Sequence, residues 1–376
     1  MLPISDGLLA HDRNHFTLVR WVLASAVIFT HAFDLTGASG SDPMLPILGI
    51  AVSGLAVDGF FVVSGFLVAM SLERSHSLVS FAAARFLRIY PGLAVVLVLS
   101  ALALGPAMTS LPLQNYLLDP AIYVYVLQNL IPITFTYDLP GVFAENPFGP
   151  AVNGSLWTIR FEIYCYAILA LIALLGLYRP TGWLLAAVAI LTLYSVTVVL
   201  GLIPELGWFG HTLEQLGRLL PCFAIGVGFY IFRTRVLLSW WIAILLLALW
   251  WASANTPIVH LVRTFAFAYL ILCVAFLTAR TSAPLSKLPD YSYGIYIYAF
   301  PVQQALVATE IAADPYSNMV FSFAITTILA GFSWNLIERP ALKLKNSKFV
   351  LDLAHRFPIQ LTRPLQTSQT WHDKTP

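Results

Sequence analysis

The chain has 376 residues, of which 59% are hydrophobic and only 10% are charged, and its formal net charge is +2. Its mean hydropathy of +0.80 excludes an ordinary soluble globular protein. Apolar runs of about 20 residues recur along the chain, the length that crosses a bilayer core of about 30 Å as a helix. Runs such as "WWIAILLLALWWA" do not alternate as membrane strands do. We therefore predict an all-α, polytopic membrane protein in contact with the lipid bilayer.

Hydropathy predicts ten membrane-spanning segments. They lie at about residues 18–37, 48–72, 90–108, 155–177, 182–201, 217–232, 237–253, 258–279, 291–311 and 319–338. Between the third and fourth segments, the apolar stretch "AIYVYVLQNLIPI" is too short to span and predicts a re-entrant or interfacial helix. We expect one integral domain at residues 1–345 and a short polar tail at 346–376.

The basic residues predict the orientation. If the N-terminus is cytoplasmic, the segments on that side hold 17 of the 20 Lys and Arg residues. The other three, Arg160, Arg218 and Arg263, lie inside predicted spans. Because basic loops stay in the cytoplasm, both termini are predicted to be cytoplasmic.

Ionisable side chains inside a membrane are candidates for function. In the first span, His31 follows Arg20 by eleven residues, or about 16 Å of helix. In the second, Asp58 is predicted at a depth comparable to that of His31, where its carboxylate would orient the imidazole. A buried histidine that only bonds a neighbouring helix is the structural alternative for His31.

Two later stretches carry further polar groups. Arg85 and Arg88, in "FAAARFLRIYPGL", share one helical face at the predicted cytoplasmic boundary. They fit either ordinary positive-inside anchoring or a clamp for an anionic ligand, and their spacing does not choose between the two. The fourth span, "NGSLWTIRFEIYCY", buries Arg160 and Glu162. For Tyr293 and Glu338, near the ends of the last spans, structural pairing is the favoured interpretation.

These stretches, taken in order, resemble the motif blocks of the membrane-bound acyltransferase family 3, which acylates cell-surface glycans and other acceptors. The matching blocks are Arg20 with His31; Asp58 before "FFVVSGF"; "RFLRIYP" at 85–91; "SLWTIRFE" at 155–162; "SYGIYIY" at 292–298; and "IERP" at 337–340. They extend over nearly the whole membrane part of the chain. One departure is Ala299, where many members have a histidine.

The resemblance implies transfer of an acyl group, acetyl above all, from acetyl-CoA to a hydroxyl of a carbohydrate outside the cytoplasm. His31 would be the base, and Arg20 and Glu162 would organise the pocket. The site residues implied are His31, Asp58, Glu162 and Arg20 for catalysis; Arg85, Arg88, Tyr90 and Ser64 for the donor; and Trp157, Arg160, Asn153 and Tyr293 for the acceptor.

The resemblance also implies a bacterial inner membrane, and it leaves a homo-oligomer open. Neither a metal nor a nucleic acid is among the predicted ligands. A proton-coupled secondary transporter is the alternative, because it too places His, Asp and Glu near the midplane. Its folds are usually paired halves, whereas residues 182 to 279 show no set that matches the first four spans.

Overall fold

The computed structural model of the protein describes residues 2–10, 13–75, 77–131, 133–200, 207–256, 258–280, 285 and 287–356. Within these ranges the chain is mostly helical, and its one sheet pairs β1 (Leu2–Pro3) with β2 (Leu237–Leu238) in antiparallel fashion. The helices are α1 Phe16–Leu35, α2 Leu45–Leu48, α3 Val52–Arg74, α4 Leu78–Leu99, α5 Gly105–Met108, α6 Leu113–Leu118, α7 Pro120–Asn129, α8 Trp157–Leu174, α9 Pro180–Tyr194, α10 Gly207–Ile231, α11 Trp240–Ala252, α12 Val259–Leu277, α13 Ser292–Ala308, α14 Pro315–Ser333, α15 Arg339–Lys343 and α16 Lys348–Arg356.

Seven helical stretches among the described residues are long and apolar enough to cross a membrane. They are Phe16–Leu35, Val52–Arg74, Leu78–Met108, Gly154–Leu174, Pro180–Thr197, Val259–Leu277 and Pro315–Asn346. The other three predicted spans are also helices, namely α10, α11 and α13, with 25, 13 and 17 residues. The all-helical membrane protein is therefore confirmed, and ten spans with both termini inside stay a prediction.

The apolar stretch between the third and fourth predicted spans forms α7, which at 10 residues is too short to cross a bilayer. The Asp119 side chain caps its start by accepting a hydrogen bond from the Ala121 N–H at 2.8 Å. At its end, the Asn129 amide group donates to the Thr136 carbonyl and accepts from the Thr136 N–H. These bonds fold the chain back after the helix.

Helix α3 is the most buried of the seven candidate spans, and it packs against α1, α8, α10 and α12. Its contact with α10 brings the two backbones together. A Cβ atom on Gly65 would lie 2.0 Å from the Phe223 carbonyl oxygen, and one on Gly226 would lie 2.0 Å from the Val62 carbonyl oxygen. Only glycine fits at either position without movement of the partner backbone.

Helix α13 is held by the amide side chains of two consecutive glutamines, Gln303 and Gln304. The Gln303 amide donates to the Ile28 carbonyl in α1 and to the Asn318 side chain in α14. The Gln304 amide donates to the carbonyls of Gly149 and Ala151. Gln303 thus joins three helices, and Gln304 fixes the loop before α8.

The C-terminal segment does not leave the bundle at residue 345. Helices α15 and α16 both pack against α4, so the beginning of the predicted tail is helical. The rest of that prediction, residues 357–376, lies outside the described residues.

The glycine contact between α3 and α10 yields a stability prediction. Gly226→Ala forces a methyl group against the Val62 backbone, and we expect it to cost on the order of 1–3 kcal/mol and to lower the thermal unfolding midpoint in detergent. Gly331→Ala in α14 is the matched control, because its new Cβ would meet nothing closer than 3.5 Å. Equal midpoints for the two variants would contradict the close contact.

Candidate active site

A cavity of about 940 Å³ lies between α3, α4, α8, α13 and the C-terminal helices. Along α3 it extends from Arg74, at the end of that helix, to Val57, a rise of about 26 Å. It therefore penetrates most of the thickness of a bilayer core of about 30 Å. Arg339, Lys345 and Leu351 also line it, so the C-terminal helices form part of its mouth.

The cavity wall is strongly basic. Seven Lys or Arg residues line it against two acidic residues, Glu162 and Asp290. The basic residues are Arg20, Arg74, Arg85, Arg88, Lys287, Arg339 and Lys345. Such an excess of one sign in a walled cleft attracts anionic ligands.

Asp290, just before α13, joins two of these arginines. Its carboxylate accepts hydrogen bonds from Arg20 at 2.5 Å and from Arg88 at 2.8 Å, and also from the Ser292 hydroxyl at 2.6 Å. Burial raises the pKa of this carboxyl, but the charges of Arg20 and Arg88 lower it by more, so the pKa lies well below its usual range. The two arginines therefore favour the ionised form of Asp290.

Arg88 is further engaged by the end of the last span. Its guanidinium lies 3.8 Å from the buried Glu338 carboxylate and within 6 Å of the ring centroids of Tyr293 and Trp334. The predicted structural pairing of Glu338 is thus confirmed. With two carboxylates beside it, Arg88 has little capacity left for a ligand phosphate.

Arg85, one turn before Arg88, is differently placed. It donates a hydrogen bond to the Ser71 hydroxyl at 3.2 Å, and its guanidinium carbon lies 5.7 Å from the Tyr166 ring centroid. Its Nε atom is buried without a hydrogen-bond partner. No carboxylate within the described part of the chain comes within 4.0 Å of Arg85, so its positive charge is available to a ligand.

Midway along the cavity, three side chains form a hydrogen-bonded group. The Tyr166 hydroxyl donates to the Glu162 carboxylate, and the Ser64 hydroxyl lies 3.4 Å from that carboxylate and 3.3 Å from the Tyr166 hydroxyl. Ser64 and Glu162, both predicted site residues, therefore meet across α3 and α8. This group presents an acceptor and hydroxyls to whatever occupies the cavity.

The far end of the cavity is closed by Phe60, Thr158 and Tyr296. The Tyr296 hydroxyl contacts the Thr158 hydroxyl at 2.7 Å and donates to the Ser155 carbonyl at 2.9 Å. The rings of Phe60 and Tyr296 pack at 5.8 Å. These contacts fill the space between α3, α8 and α13.

His31 lies just beyond this closed end. Its ring packs edge-on against Phe300 at 5.5 Å, and Phe300 follows Tyr296 by one turn of α13, about 6 Å. The His31 side chain is 22% exposed, and its Nδ1 atom lies 3.7 Å from the Asp34 carboxylate. Because eleven residues make almost three whole turns, Arg20 and His31 lie on the same face of α1.

The prediction that Asp58 orients His31 is wrong. Asp58 instead pairs with Arg218 at 2.9 Å and lies 3.9 Å from Arg263. It faces α10 and α12 rather than α1, and Asp34 is the carboxylate beside the imidazole. The sequence fixes the depth of Asp58 along α3 but not the direction in which it points.

Tyr90, predicted to bind the donor, and Tyr293, predicted to bind the acceptor, lie in different surroundings. Tyr90 is absent from the wall of the large cavity; its ring stacks on Phe86 at 4.4 Å beside a smaller cavity of about 400 Å³. Tyr293, predicted to bind the acceptor, lines the large cavity and donates a hydrogen bond to the Ile89 carbonyl at 2.8 Å. The Arg88 guanidinium lies over the Tyr293 ring at 5.7 Å, and binding of the acceptor by Tyr293 stays a prediction.

The other predicted acceptor residues are not gathered into one pocket. Asn153 is buried and donates to the Ile297 carbonyl at 2.8 Å. The Arg160 guanidinium lies over the Phe161 ring at 4.7 Å, with its Nε atom unpartnered. Trp157 packs on the same Phe161 ring at 5.8 Å.

Three residues of this site are not among the residues predicted from the sequence. Asp290 is a lone acidic residue two positions before a motif block, and Tyr166 follows Glu162 by one turn. Asp34 follows His31 by three residues, the spacing of helical neighbours. Each of these three positions is visible in the sequence, but a short spacing from a predicted site residue does not by itself identify another one.

Comparison with known proteins identifies the chain. Residues 14–335 match a family described as an acyltransferase domain, acyltransferase family 3. Nodulation protein 10 of Rhizobium leguminosarum bv. viciae is 30% identical over 376 residues, covering 92% of this chain and 98% of that protein.

A second relative, an O-acetyl transferase of Shigella phage Sf6, is 28% identical over 361 residues, covering 91% of this chain and 100% of that protein. No solved structure matches the chain. The family match takes in the first five motif blocks of the sequence analysis, and the family is one of enzymes rather than of transporters. The chain belongs to acyltransferase family 3 and is a membrane O-acyltransferase.

Proposed function

We propose that the protein transfers an acetyl group from cytoplasmic acetyl-CoA to a hydroxyl of a carbohydrate on the outer side of a bacterial inner membrane. The observation that carries this proposal is the basic cavity, which runs from the basic end of the bundle to Tyr296, one helical turn before the Phe300 ring that packs against His31. The name of the phage relative supports acetyl as the transferred group. The basic loops at the cavity mouth support a cytoplasmic donor.

Arg85 is the leading ligand for the donor phosphates, because it is a cation without a carboxylate partner within 4.0 Å in the described chain. Arg74, Lys287, Arg339 and Lys345 surround the mouth and add positive charge. A cavity of about 940 Å³ is at the upper end of the usual range for cofactor pockets, about 300–1,000 Å³. The cavity is long enough to take an elongated donor with its thioester at the far end.

Arg88, also predicted to bind the donor, has a different role in this proposal. With Arg20, Asp290 and Glu338 it forms an ion-pair network that joins α1, α4, α13 and the end of the last span. The network holds the wall on which Arg85 and Glu162 are displayed. Ser64 and Glu162 then contact the donor midway along the cavity.

His31 acts as the general base. It removes the proton from the acceptor hydroxyl, whose oxygen forms the new ester bond to the acyl carbon as the carbon–sulfur bond breaks. The proton then passes to the departing thiolate, which leaves as free CoA. Asp34, 3.7 Å from the ring, stabilises the positive imidazolium, the role that the sequence assigned to Asp58.

The acceptor approaches His31 from the end opposite the basic mouth. Trp157 and Arg160 begin α8 near the loop that carries Phe135. Aromatic faces there suit the apolar face of a sugar ring. For the acyl group to reach His31, the rings of Phe60, Tyr296 and Phe300 have to move apart.

Because Arg85 and Arg88 have different surroundings, their substitution should affect different properties: donor binding for Arg85 and stability for Arg88. We expect Arg85→Gln to weaken acetyl-CoA binding about ten-fold or more, the loss of a charge-assisted hydrogen bond, with the unfolding midpoint unchanged. Arg88→Gln leaves Asp290 and Glu338 short of a counter-charge, so its main effect is a lowered midpoint. Binding of radiolabelled acetyl-CoA and thermal unfolding of the purified proteins measure the two effects.

The control for both is Arg235→Gln, on the same side of the membrane but outside the cavity wall, which should behave as wild type. If Arg85→Gln binds the donor as tightly as wild type does, the assignment of Arg85 fails.

Removal of His31 should abolish transfer but not donor binding. In His31→Ala we expect CoA–thiol release in the presence of acceptor-bearing membranes to fall about 10²–10⁴-fold, the usual contribution of a general base. Asp34→Asn should lose less, because it removes only the stabilising charge. The matched control is His211→Ala, since His211 has a glutamate, Glu214, at the same spacing and 3.8 Å away but is 61% exposed. A His31→Ala enzyme with wild-type thiol release would refute the role.

A further inference from the structure

A second group of buried charges lies on the side of α3 that faces away from the basic cavity. Arg218 donates to the Asp58 carboxylate at 2.9 Å and to the Gly54 carbonyl at 3.3 Å. Arg263 lies 3.9 Å from the same carboxylate, and its Nη2 atom is 3.0 Å from His260 Nδ1. We call Asp58, Arg218, His260 and Arg263 the far-end cluster.

The far-end cluster carries more positive than negative charge. Both arginines stay protonated in proteins. The His260 Nδ1 atom receives a hydrogen from Arg263, so that imidazole is neutral. Glu214, one turn before Arg218, is directed to His211 at 3.8 Å instead. Across the described residues, Asp58 is the one carboxylate within 4.0 Å of either arginine, which leaves one positive charge uncompensated.

The surplus charge rests on a side chain that is almost inaccessible. Arg263 is 5% exposed, and its Nε atom has no hydrogen-bond partner. A guanidinium that shares its one nearby carboxylate with a second arginine is costly at such a position. Arg218 is 29% exposed, so the cluster is open on one side to a ligand that brings a negative charge.

The surroundings indicate what kind of ligand this is. Leu261 and Phe265, on either side of Arg263 in α12, are exposed apolar side chains, as expected for a surface that faces lipid tails. Asp58 and Arg263 lie within the first two turns of α3 and α12, whereas the basic mouth lies at the other end of α3. The far-end cluster is therefore near the level of His31, which lies in the last turn and a half of α1.

We propose that the far-end cluster binds the phosphate group of a membrane lipid on the acceptor side of the bilayer. A phosphate matches the fork of donors on a guanidinium and supplies the missing negative charge. Lipid tails attached to it would lie along the exposed apolar face of α12. The phosphate belongs either to a bilayer phospholipid or to a polyprenyl carrier of the acceptor. The proposal does not depend on the donor assignment, because it rests on a different set of charges.

The test titrates the full-length protein in a neutral maltoside detergent with phosphatidylglycerol, with a polyprenyl phosphate and with diacylglycerol, which has no phosphate. The shift of the unfolding midpoint reports binding, since a ligand of the native state raises it. We expect at least one phosphate lipid, but not diacylglycerol, to raise the midpoint of wild type. In Arg263→Gln the apparent affinity for that lipid should fall about ten-fold or more.

Arg263→Gln should still fold, because Arg218 remains 2.9 Å from Asp58; a single cooperative unfolding transition in lipid-free detergent verifies this. Arg263→Lys keeps the positive charge but not the planar fork of N–H donors, so it should retain part of the affinity for the phosphate lipid. It replaces Arg263→Gln in the test if that variant does not fold. Asp58→Asn should bind the phosphate lipid more tightly, since it removes the competing anion. Arg235→Gln is the control that behaves as wild type.

A response to polyprenyl phosphate alone identifies the acceptor carrier as the source of the phosphate, and a response to phosphatidylglycerol alone identifies the bilayer. The proposal is overturned if diacylglycerol shifts wild type as much as the phosphate lipids do. It is also overturned if wild type and Arg263→Gln respond to them equally.

Discussion

The arrangement of the basic end of the cavity depends on the carboxylate of Asp290. A charge taken out of water inside a membrane protein needs a partner of opposite charge. The Asp290 carboxylate is that partner for both Arg20 in α1 and Arg88 in α4. Because Asp290 directly precedes α13, these two bonds fix three helices around one point. The network also explains why neighbouring arginines differ: Arg88 is held by carboxylates, and Arg85 is left available. Arg85 therefore adds its charge to that of the lysines and arginines at the cavity mouth.

Helix α3 separates the two polar regions of the bundle. Ser64 and Val57 lie toward the basic cavity, whereas Asp58 points to α10 and α12. Successive helical residues differ by about 100° in direction, so neighbours in sequence serve different sites. The close contact of Gly65 with α10 fixes the rotation of α3. A small change in that rotation would move both regions at once.

The rotation of α3 about its axis could not be predicted from the sequence. Hydropathy located the helices, because burial in lipid requires long apolar runs, and spacing along each helix gave the depth of Arg20 and His31. Ser64 and Arg85, both predicted from the motif blocks to bind the donor, line the same cavity as Glu162, which was predicted for catalysis. The direction of Asp58 and the stacking of Tyr90 depend on contacts with residues far away in the chain. Such long-range contacts do not produce a periodic pattern of residues in a single sequence.

The closed end of the cavity lies between the proposed donor site and His31, where the proposed reaction takes place. Phe60 and Tyr296 separate the donor space from His31, and Tyr296 is held there by Thr158 and the Ser155 carbonyl. A thioester kept behind this barrier is shielded from water on the acceptor side until the rings separate, so hydrolysis does not compete with transfer. Ser155 lies just before the helix that carries Thr158 and Glu162, and that helix follows the loop fixed by Gln304. In the proposed reaction, an acceptor that displaces this loop would act on the same contacts that keep Phe60 and Tyr296 in place, and its arrival would expose the thioester.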